Sequence, residues 1–227
     1  MSDPAGVVAV AEGLTADIFH QLLDVAIDGK GGLRGARATG KRLIGKHRDA
    51  EVAVGRAVIE HIALAGGQGF ATNWGGFVVS MVTIPANLAA ATFVQARMVA
   101  TVAHLRGYDV SDPRVRSAIL MVMLGPAPME ALVQQGVLPS TPLAVATAPV
   151  FDAALDGRIT RALLDRTMGH LGGKRLGVLA GKWIPFVGGG VGAVVDGVAT
   201  RSMGALAMQE FPSRRPRLAS WKSQAQG

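Results

Sequence analysis

The hydrophobic pattern of the chain is dominated by one uncharged stretch, Ile62 to Ala96, which contains no Asp, Glu, Lys, Arg or His. Proline favours the first turn of a helix over its interior. The pattern therefore predicts a hairpin of two helices, a short one over residues 77–82 and a long one from Pro85 to about Arg106. A single membrane span over Trp74 to Val94 has a suitable length and is the alternative.

A second apolar block, Trp183 to Val195, lies near the other end of the sequence. Small residues recur every four positions in and just after it, at Gly188, Gly192, Gly189, Ala193 and Gly197. On a helix this spacing lets another helix approach closely. A dinucleotide-binding glycine loop is the rival interpretation, but it requires a following strand, and residues 201–208 have a helical pattern. We therefore expect an apolar core helix.

Amphipathic patterns between these blocks predict further helices over residues 15–27, 49–65, 114–124 and 151–168. Asp112 followed by Pro113 is typical of a helix start. Residues 137–149 hold three prolines and no charge, which indicates a connector crossing an apolar surface. The fold class is all-α: a single compact helical domain with two apolar, glycine-rich hairpin or core elements and mobile basic termini.

Charge is scarce and unevenly distributed. Charged residues make up 17% of the chain, below the roughly 25% of ordinary soluble proteins, while the net charge is +7. Residues 30–48 hold seven Lys or Arg and no acid. This segment is either a solvated loop leading to a helix or a patch for anionic lipid headgroups, where each cation contributes about 1 kcal/mol. The anionic-surface candidates are Arg34, Arg37, Lys41, Arg42, Lys46 and Arg48.

Two further sets of residues are candidates for function. Large apolar side chains of the two blocks are candidates for lipid binding: Phe70, Trp74, Phe77, Met81, Phe93, Met98, Trp183 and Phe186. Polar groups expected within the apolar core are His61, Gln68, Asn87, Gln95, Arg97, His104, Asp196 and Arg201. Arg97 needs an acidic partner if it is covered, because an unpaired buried charge is costly. Asp196 is the candidate partner for Arg97 or Arg201.

Recognisable catalytic motifs are missing. The chain has no cysteine, no GxSxG turn and no metal-ligand spacing among its five histidines, so neither a metal nor a cofactor is predicted. Residues 35–41 resemble the start of a phosphate-binding loop, but Arg42 stands where Ser or Thr must bind Mg²⁺. A hydrolase-like enzyme acting on an apolar substrate through Glu60, His61 and Asp196 stays open as an alternative. Nucleic acid is a poor partner because no aromatics interleave the basic stretch.

Several separated motifs resemble the EcsC protein family. They comprise His61 with residues 66–70, Gly75-Gly76, residues 85–88, residues 95–98, residues 107–109, and residues 185–189 continuing to Asp196 and Arg201. The resemblance covers residues 49–207, with Asn87 standing where the family pattern has an acid. It implies an all-helical bacterial protein associated by name with an ABC-exporter operon, without established catalytic chemistry or transferable catalytic residues.

The expected organisation is an N-terminal helix and basic segment (residues 1–48), an EcsC-like helical domain (residues 49–211) and a basic tail (residues 212–227). We expect a bacterial lipid-engaging protein, cytoplasmic and peripheral at the inner face of the cell membrane, with anionic lipid as its partner. The alternative is an oligomeric structural or interaction protein that uses its apolar face as the interface. A homo-oligomer or a membrane-protein partner would each fit that alternative.

Overall fold

The computed structural model describes residues 18–66, 86–139, 141–172 and 188–214 of the chain. These ranges are mostly helical, which confirms the all-α prediction. The first described helix, α1, covers residues 18–28. The elements that follow are β1 (Gly29–Lys30), β2 (Leu33–Arg34), α2 (Ala36–His47), α3 (Ala50–Gly66), α4 (Ala86–Leu105), α5 (Pro113–Met123), α6 (Pro126–Gln134), α7 (Pro142–Ala146), α8 (Ala153–Gly172) and α9 (Gly188–Glu210).

The basic segment contains a hairpin and a helix, whereas the first of its two interpretations was a solvated loop leading to a helix. Strands β1 and β2 pair antiparallel, with Gly29 opposite Arg34. Gly29 has φ +83°, and a Cβ there would lie 2.4 Å from the Leu33 carbonyl, so the turn requires glycine at this position. Helix α2 follows because Thr39 and Leu43, four residues apart, are buried on one side of it.

Helix α4 lies at the centre of the fold and contacts α2, α3, α5 and α9. Helix α5 packs against α4, α7 and α8, and every residue from Ser117 to Met123 is buried. Its start matches the predicted cap, since the Asp112 side chain accepts from the Arg114 backbone N–H and Pro113 occupies the first turn. Side chains of α1 and α2, such as Leu23 and Leu43, belong to the same core.

The connector over residues 137–149 includes the short helix α7. Thr141 caps this helix by accepting from the Ala144 N–H over 3.2 Å. Glu210, at the end of α9, is buried and accepts from the Leu143 N–H over 3.4 Å. Two oxygen acceptors therefore satisfy N–H groups at the start of α7, where a helix has no internal partner for them.

Helix directions follow from contacts between α3, α4 and α9. Arg106 of α4 contacts Glu51, at the start of α3, while Arg97 contacts His61, further along it, so α3 and α4 are antiparallel. Arg106 also contacts Phe211, just after α9.

Earlier in α9, a Cβ on Gly204 would lie against Val58 and Met98. Helix α9 therefore runs parallel to α4 and antiparallel to α3. Consequently Gly66, Ala86 and Gly188 lie at one end of this three-helix unit, here called the apical end. The basal end is the end at Glu51, Arg106 and Phe211.

In the described part of the chain, no single helix combines the length and apolarity needed to cross a membrane. Helices α5 and α6 have that length and apolarity only when they are taken together. The chain bends by 108° at their junction.

Candidate functional site

A buried arginine and a buried histidine form a polar centre between α3 and α4. Arg97 Nε donates to His61 Nε2 over 3.0 Å, and Arg97 Nη1 donates to the Arg34 carbonyl over 3.2 Å. His61 Nδ1 lies 2.6 Å from the Ala57 carbonyl, one turn earlier on α3. Since Nε2 accepts, Nδ1 carries the proton and donates to Ala57. Both ring nitrogens are therefore occupied by partners within the protein.

The His61 ring is neutral at physiological pH. Burial, and after it the nearby Arg97 charge, lower the pKa of His61 to about 4. The ring is 1% exposed, so a proton on it would have to be accommodated without water. The last turns of a helix favour a cation through the helix dipole, but that effect is worth at most about 2 kcal/mol. At this position, desolvation outweighs the dipole.

Arg97 is charged although its described partners are neutral. Its side chain lies over the Phe93 ring, with Cζ 5.4 Å from the ring centroid. Burial lowers its pKa, and the Glu60 charge opposes that effect. Glu60 itself forms an ion pair with Arg42 at 2.5 Å, and this contact lowers the pKa of Glu60. Among the described side chains, no carboxylate forms an ion pair with Arg97.

A second buried arginine, Arg106, joins α3, α4 and the end of α9 at the basal end. Its Nε and Nη2 atoms donate to the two carboxylate oxygens of Glu51 over 3.2 and 2.6 Å. Its Nη1 atom donates to the carbonyls of Met208 and Phe211, the latter over 2.9 Å. The last carbonyls of a helix have no internal partner, so Arg106 acts as a C-terminal cap for α9.

Residues after α9 strengthen this basal contact. The Tyr108 and Phe211 rings meet edge to face with centroids 5.1 Å apart. Arg214 lies over the Tyr108 ring at 4.3 Å, and its backbone N–H donates to the Arg106 carbonyl over 2.8 Å. The chain is thereby held at the basal end as far as residue 214.

A third polar cluster holds α1 against α5 and α8. His20 Nε2 lies 3.0 Å from one Asp156 oxygen, and Ser117 Oγ donates to the other over 2.5 Å. The hydrogen bond to Asp156 raises the pKa of His20. Because the carboxylate lies between the hydroxyl and the imidazole, this order differs from a nucleophilic triad, in which the imidazole contacts the hydroxyl. Arg116 pairs with Asp24 at 2.5 Å beside this cluster.

The predicted lipid-binding residues fall into two groups. Phe93 and Met98 are 0% exposed and lie in the core, where they are not accessible to a bilayer. The other six, Phe70, Trp74, Phe77, Met81, Trp183 and Phe186, lie outside the described residues. The predicted short helix over residues 77–82 lies outside them as well.

The structure buries only some of the polar residues expected in the core. His61 and Arg97 are buried, whereas Gln95 and His104 are only partly buried. Arg201 is exposed, in contrast to its expected place in the core, and Val198 and Ala205 on the same helix are exposed too. Gln68 and the side chains of Asn87 and Asp196 lie outside the described part of the chain.

The six anionic-surface candidates are exposed, except for Arg37, which is partly buried. Arg37 pairs with Asp28 at 3.0 Å and Arg42 pairs with Glu60, so part of this positive charge is neutralised. Lys41 and Lys46 lie on the exposed side of α2, and Arg48 ends that helix in the left-handed conformation with φ 57°.

Sequence reasoning missed Arg106, Glu51 and Glu210. Their partners lie 55 to 105 positions away in sequence, so no local spacing signals them. It also missed Gly204 as the point of close contact between α9 and α3. Gly197, a member of the predicted small-residue stripe, has open space where a Cβ would lie, with no neighbouring atom within 4 Å.

Two observations on the described residues concern metal and ligand binding. The described residues contain no group of three or more His, Cys, Asp or Glu side chains placed to hold a metal ion. One small cavity, of about 30 Å³, lies between α5, α7 and α8 and is lined by residues such as Ser117, Val145 and Leu155. A volume of that size holds about one water molecule.

No family model, curated protein or solved structure matches this chain. The resemblance to EcsC proteins therefore stays a prediction that depends on the motifs quoted above.

Proposed function

We propose that this protein is a peripheral, lipid-engaging helical protein of EcsC type that meets an anionic bilayer with its apical end. The observation that carries the proposal is the common location of Gly66, Ala86 and Gly188. In the sequence, Gly66 and Ala86 flank residues 67–85, and Gly188 directly follows residues 173–187. Two stretches of unusual composition are thus attached to the same end of one helical unit.

The composition of these stretches suits the interface of an anionic membrane. Residues 67–85 contain no charge, and residues 173–187 contain Lys174, Arg175 and Lys182 but no acid. Trp74 and Trp183 are two of the three tryptophans of the chain. Tryptophan is enriched at the boundary between headgroups and acyl chains, while each nearby cation contributes about 1 kcal/mol of attraction to anionic lipid.

The packing of the core favours lipid contact at this end over contact with Phe93 and Met98, two of the predicted lipid-binding residues. Both side chains are packed inside the protein. Lipid contact through the apical segments requires no large internal cavity.

Vesicle flotation tests the proposal. The protein is mixed with vesicles of phosphatidylcholine alone or with added phosphatidylglycerol, at low and at high ionic strength. We expect flotation with the anionic vesicles at low salt, and weaker flotation at high salt because exposed charges are screened. The charge-reversal variant K174E/R175E should bind less, whereas R158E/R161E, at two exposed arginines of α8, is the matched control for net charge. Failure to float with anionic vesicles at low salt would contradict the proposal.

The enzyme alternative receives no support from the polar centre. A general base needs a nitrogen or oxygen free to accept a substrate proton. Both nitrogens of His61 are already engaged, and Glu60 is paired with Arg42. A hydrolase-like site formed by Glu60, His61 and Asp196 would require these contacts of His61 and Glu60 to be broken.

A further inference from the structure

Helices α3 and α9 share one exposed, largely apolar surface, here called the outer face. It consists of Val52, Arg56, Ile59, Val198 and Arg201. The three aliphatic side chains are 49%, 57% and 61% exposed, in chain order. Val52, Arg56 and Ile59 follow each other at spacings of four and three, so they form one stripe on α3. Val198 and Arg201, three residues apart, form a second stripe on α9.

The two stripes face the same side of the molecule. Helices α3 and α9 contact each other and both contact α4, which lies behind them. On α3, His61 faces α4, whereas Ile59 is exposed. On α9, Gly204 is packed against Val58 and Met98, whereas Val198 is exposed. The exposed stripes therefore lie opposite α4 on adjacent helices.

The charge of the outer face is positive. Arg56 and Arg201 are exposed, and neither forms an ion pair with a described carboxylate. The described acids of the same helices are engaged elsewhere: Glu51 with Arg106, Glu60 with Arg42, and Glu210 with the start of α7. Aliphatic side chains beside unpaired arginines are the composition of a surface that binds an anionic membrane interface.

We propose that the outer face lies against the headgroups of an anionic bilayer, with Arg56 and Arg201 on lipid phosphates and the three aliphatic side chains among the upper acyl segments. This inference rests on the proposed function and deepens it by naming the surface that orients the protein. Ile59 lies seven residues before Gly66, and Val198 lies ten after Gly188, which is about 10–15 Å along each helix. The apical end and the outer face can therefore touch one membrane together if the helices lie obliquely to it.

A second copy of the chain fits this surface less well than lipid does. Two outer faces brought together would place arginines near arginines, with no described carboxylate between them. Uncompensated like charges in a closed interface oppose association. An anionic bilayer supplies phosphates for the same arginines, so the charge pattern favours lipid as the occupant.

The test compares matched variants in flotation with phosphatidylcholine–phosphatidylglycerol vesicles. I59D/V198D places two acids on the outer face, and V137D/V150D places two at Val137 and Val150, which are 38% and 74% exposed and lie outside α3 and α9. We expect I59D/V198D to lower the apparent affinity at least tenfold and V137D/V150D to change it less than twofold. Circular dichroism and light scattering record folding and oligomeric state for each variant.

The possible results distinguish failure of the outer-face proposal from failure of the proposed function. If the unmodified protein floats and I59D/V198D floats equally well, the outer face is not the membrane surface, and the proposed function still stands. If the unmodified protein fails to float, both proposals fall. If it is instead a dimer that I59D/V198D dissociates, the outer face binds a second copy and the inference is overturned.

A second measurement tests the same surface if I59D/V198D does not fold. The chain contains no cysteine, so Ile59→Cys or Val150→Cys creates a unique site for an environment-sensitive fluorophore. On addition of anionic vesicles, the emission at position 59 should shift to the blue, while that at position 150 should not. Equal shifts at both positions, or none at position 59, would refute the proposed orientation.

Discussion

Two arginines on α4 and at its end are buried to the same extent, each 9% exposed, yet they are compensated differently. Arg106, at the basal end, has a carboxylate and two carbonyls as partners. Arg97, nearer the apical end, has the neutral His61 ring, one carbonyl and an aromatic face. Equal burial therefore does not imply equal electrostatic stabilisation.

The difference separates the basal end, which is closed by structural contacts, from the apical end, where we propose that lipid binds. The basal end is closed by interactions that join three helices and hold the chain as far as residue 214. The centre at Arg97 lies further toward the helix ends that carry the two uncharged or basic segments. Loss of Arg106 should therefore destabilise the fold, whereas changes near the apical end should alter what the protein binds.

The largest expected effect comes from Arg106→Met. This substitution leaves the Met208 and Phe211 carbonyls without their donor and removes the pair with Glu51, which should cost about 3 kcal/mol of unfolding free energy. Arg97→Met is the matched control, because it also replaces a buried arginine. It should cost about 1 kcal/mol or less, since the lost hydrogen bond is offset by relief of a buried charge. Urea unfolding measures both.

Equal costs for the two variants would contradict this comparison. That result would indicate an acidic partner for Arg97 beyond the described side chains, and Asp196→Asn would then have to destabilise the protein by a similar amount.

The sequence predicts the helices well but not their pairing. Local signals such as Asp112-Pro113 and the periodicity of residues 49–65 locate helices, because caps and amphipathic faces depend on near neighbours. The Arg106–Glu51 contact depends on the direction in which α3 and α4 pack, which no local pattern encodes. The exposure of Arg201 likewise depends on packing, because an exposed apolar face on α9 has the same hydropathy as a buried one.

The next prediction concerns the stability of the protein at low pH. The folded-state pKa of His61 is about 4, below the ordinary value of 6.5. Between these values the unfolded chain binds more protons than the folded protein, so stability falls as pH is lowered from 6.5 toward 4. The expected loss attributable to His61 is about 3 kcal/mol by pH 4.

The apolar double variant H61L/R97M isolates this contribution, since it removes the titrating ring together with the charge beside it. Its unfolding free energy, measured by urea denaturation across the same pH range, should fall less steeply than that of the unmodified protein. Parallel pH profiles for the two proteins would show that His61 is not the group responsible.

His20 has the opposite effect on the pH dependence of stability, because contact with Asp156 raises its pKa. The stabilisation that His20 contributes to the folded protein is present below pH 6.5 and is lost as pH rises through the folded-state pKa. His20→Gln should therefore reduce stability at about pH 5.5 more than at about pH 8, by roughly 1 kcal/mol or less since the ring is partly exposed. A pH-independent effect in thermal unfolding would contradict the assignment of this ion pair.

The smallest effects come from two glycines of α9. A Cβ on Gly204 would lie 2.7 Å from Val58, so Gly204→Ala should cost about 1 kcal/mol despite the better helix propensity of alanine. Gly197 has open space around it, and Gly197→Ala should stabilise the protein by about 0.5–1 kcal/mol. Thermal unfolding of both variants checks the packing of α9 on α3, and stabilisation by Gly204→Ala would refute it.

Tryptophan quenching by lipids brominated in the acyl chain tests the membrane contact of the apical end most directly. Three variants each keep one tryptophan, at Trp74, Trp183 or Trp221, with the others changed to Phe. On anionic brominated vesicles, Trp74 and Trp183 should be quenched strongly, and Trp221, in the C-terminal tail, much less. Emission from Trp74 and Trp183 that is unchanged by vesicles to which the protein is bound would contradict the account.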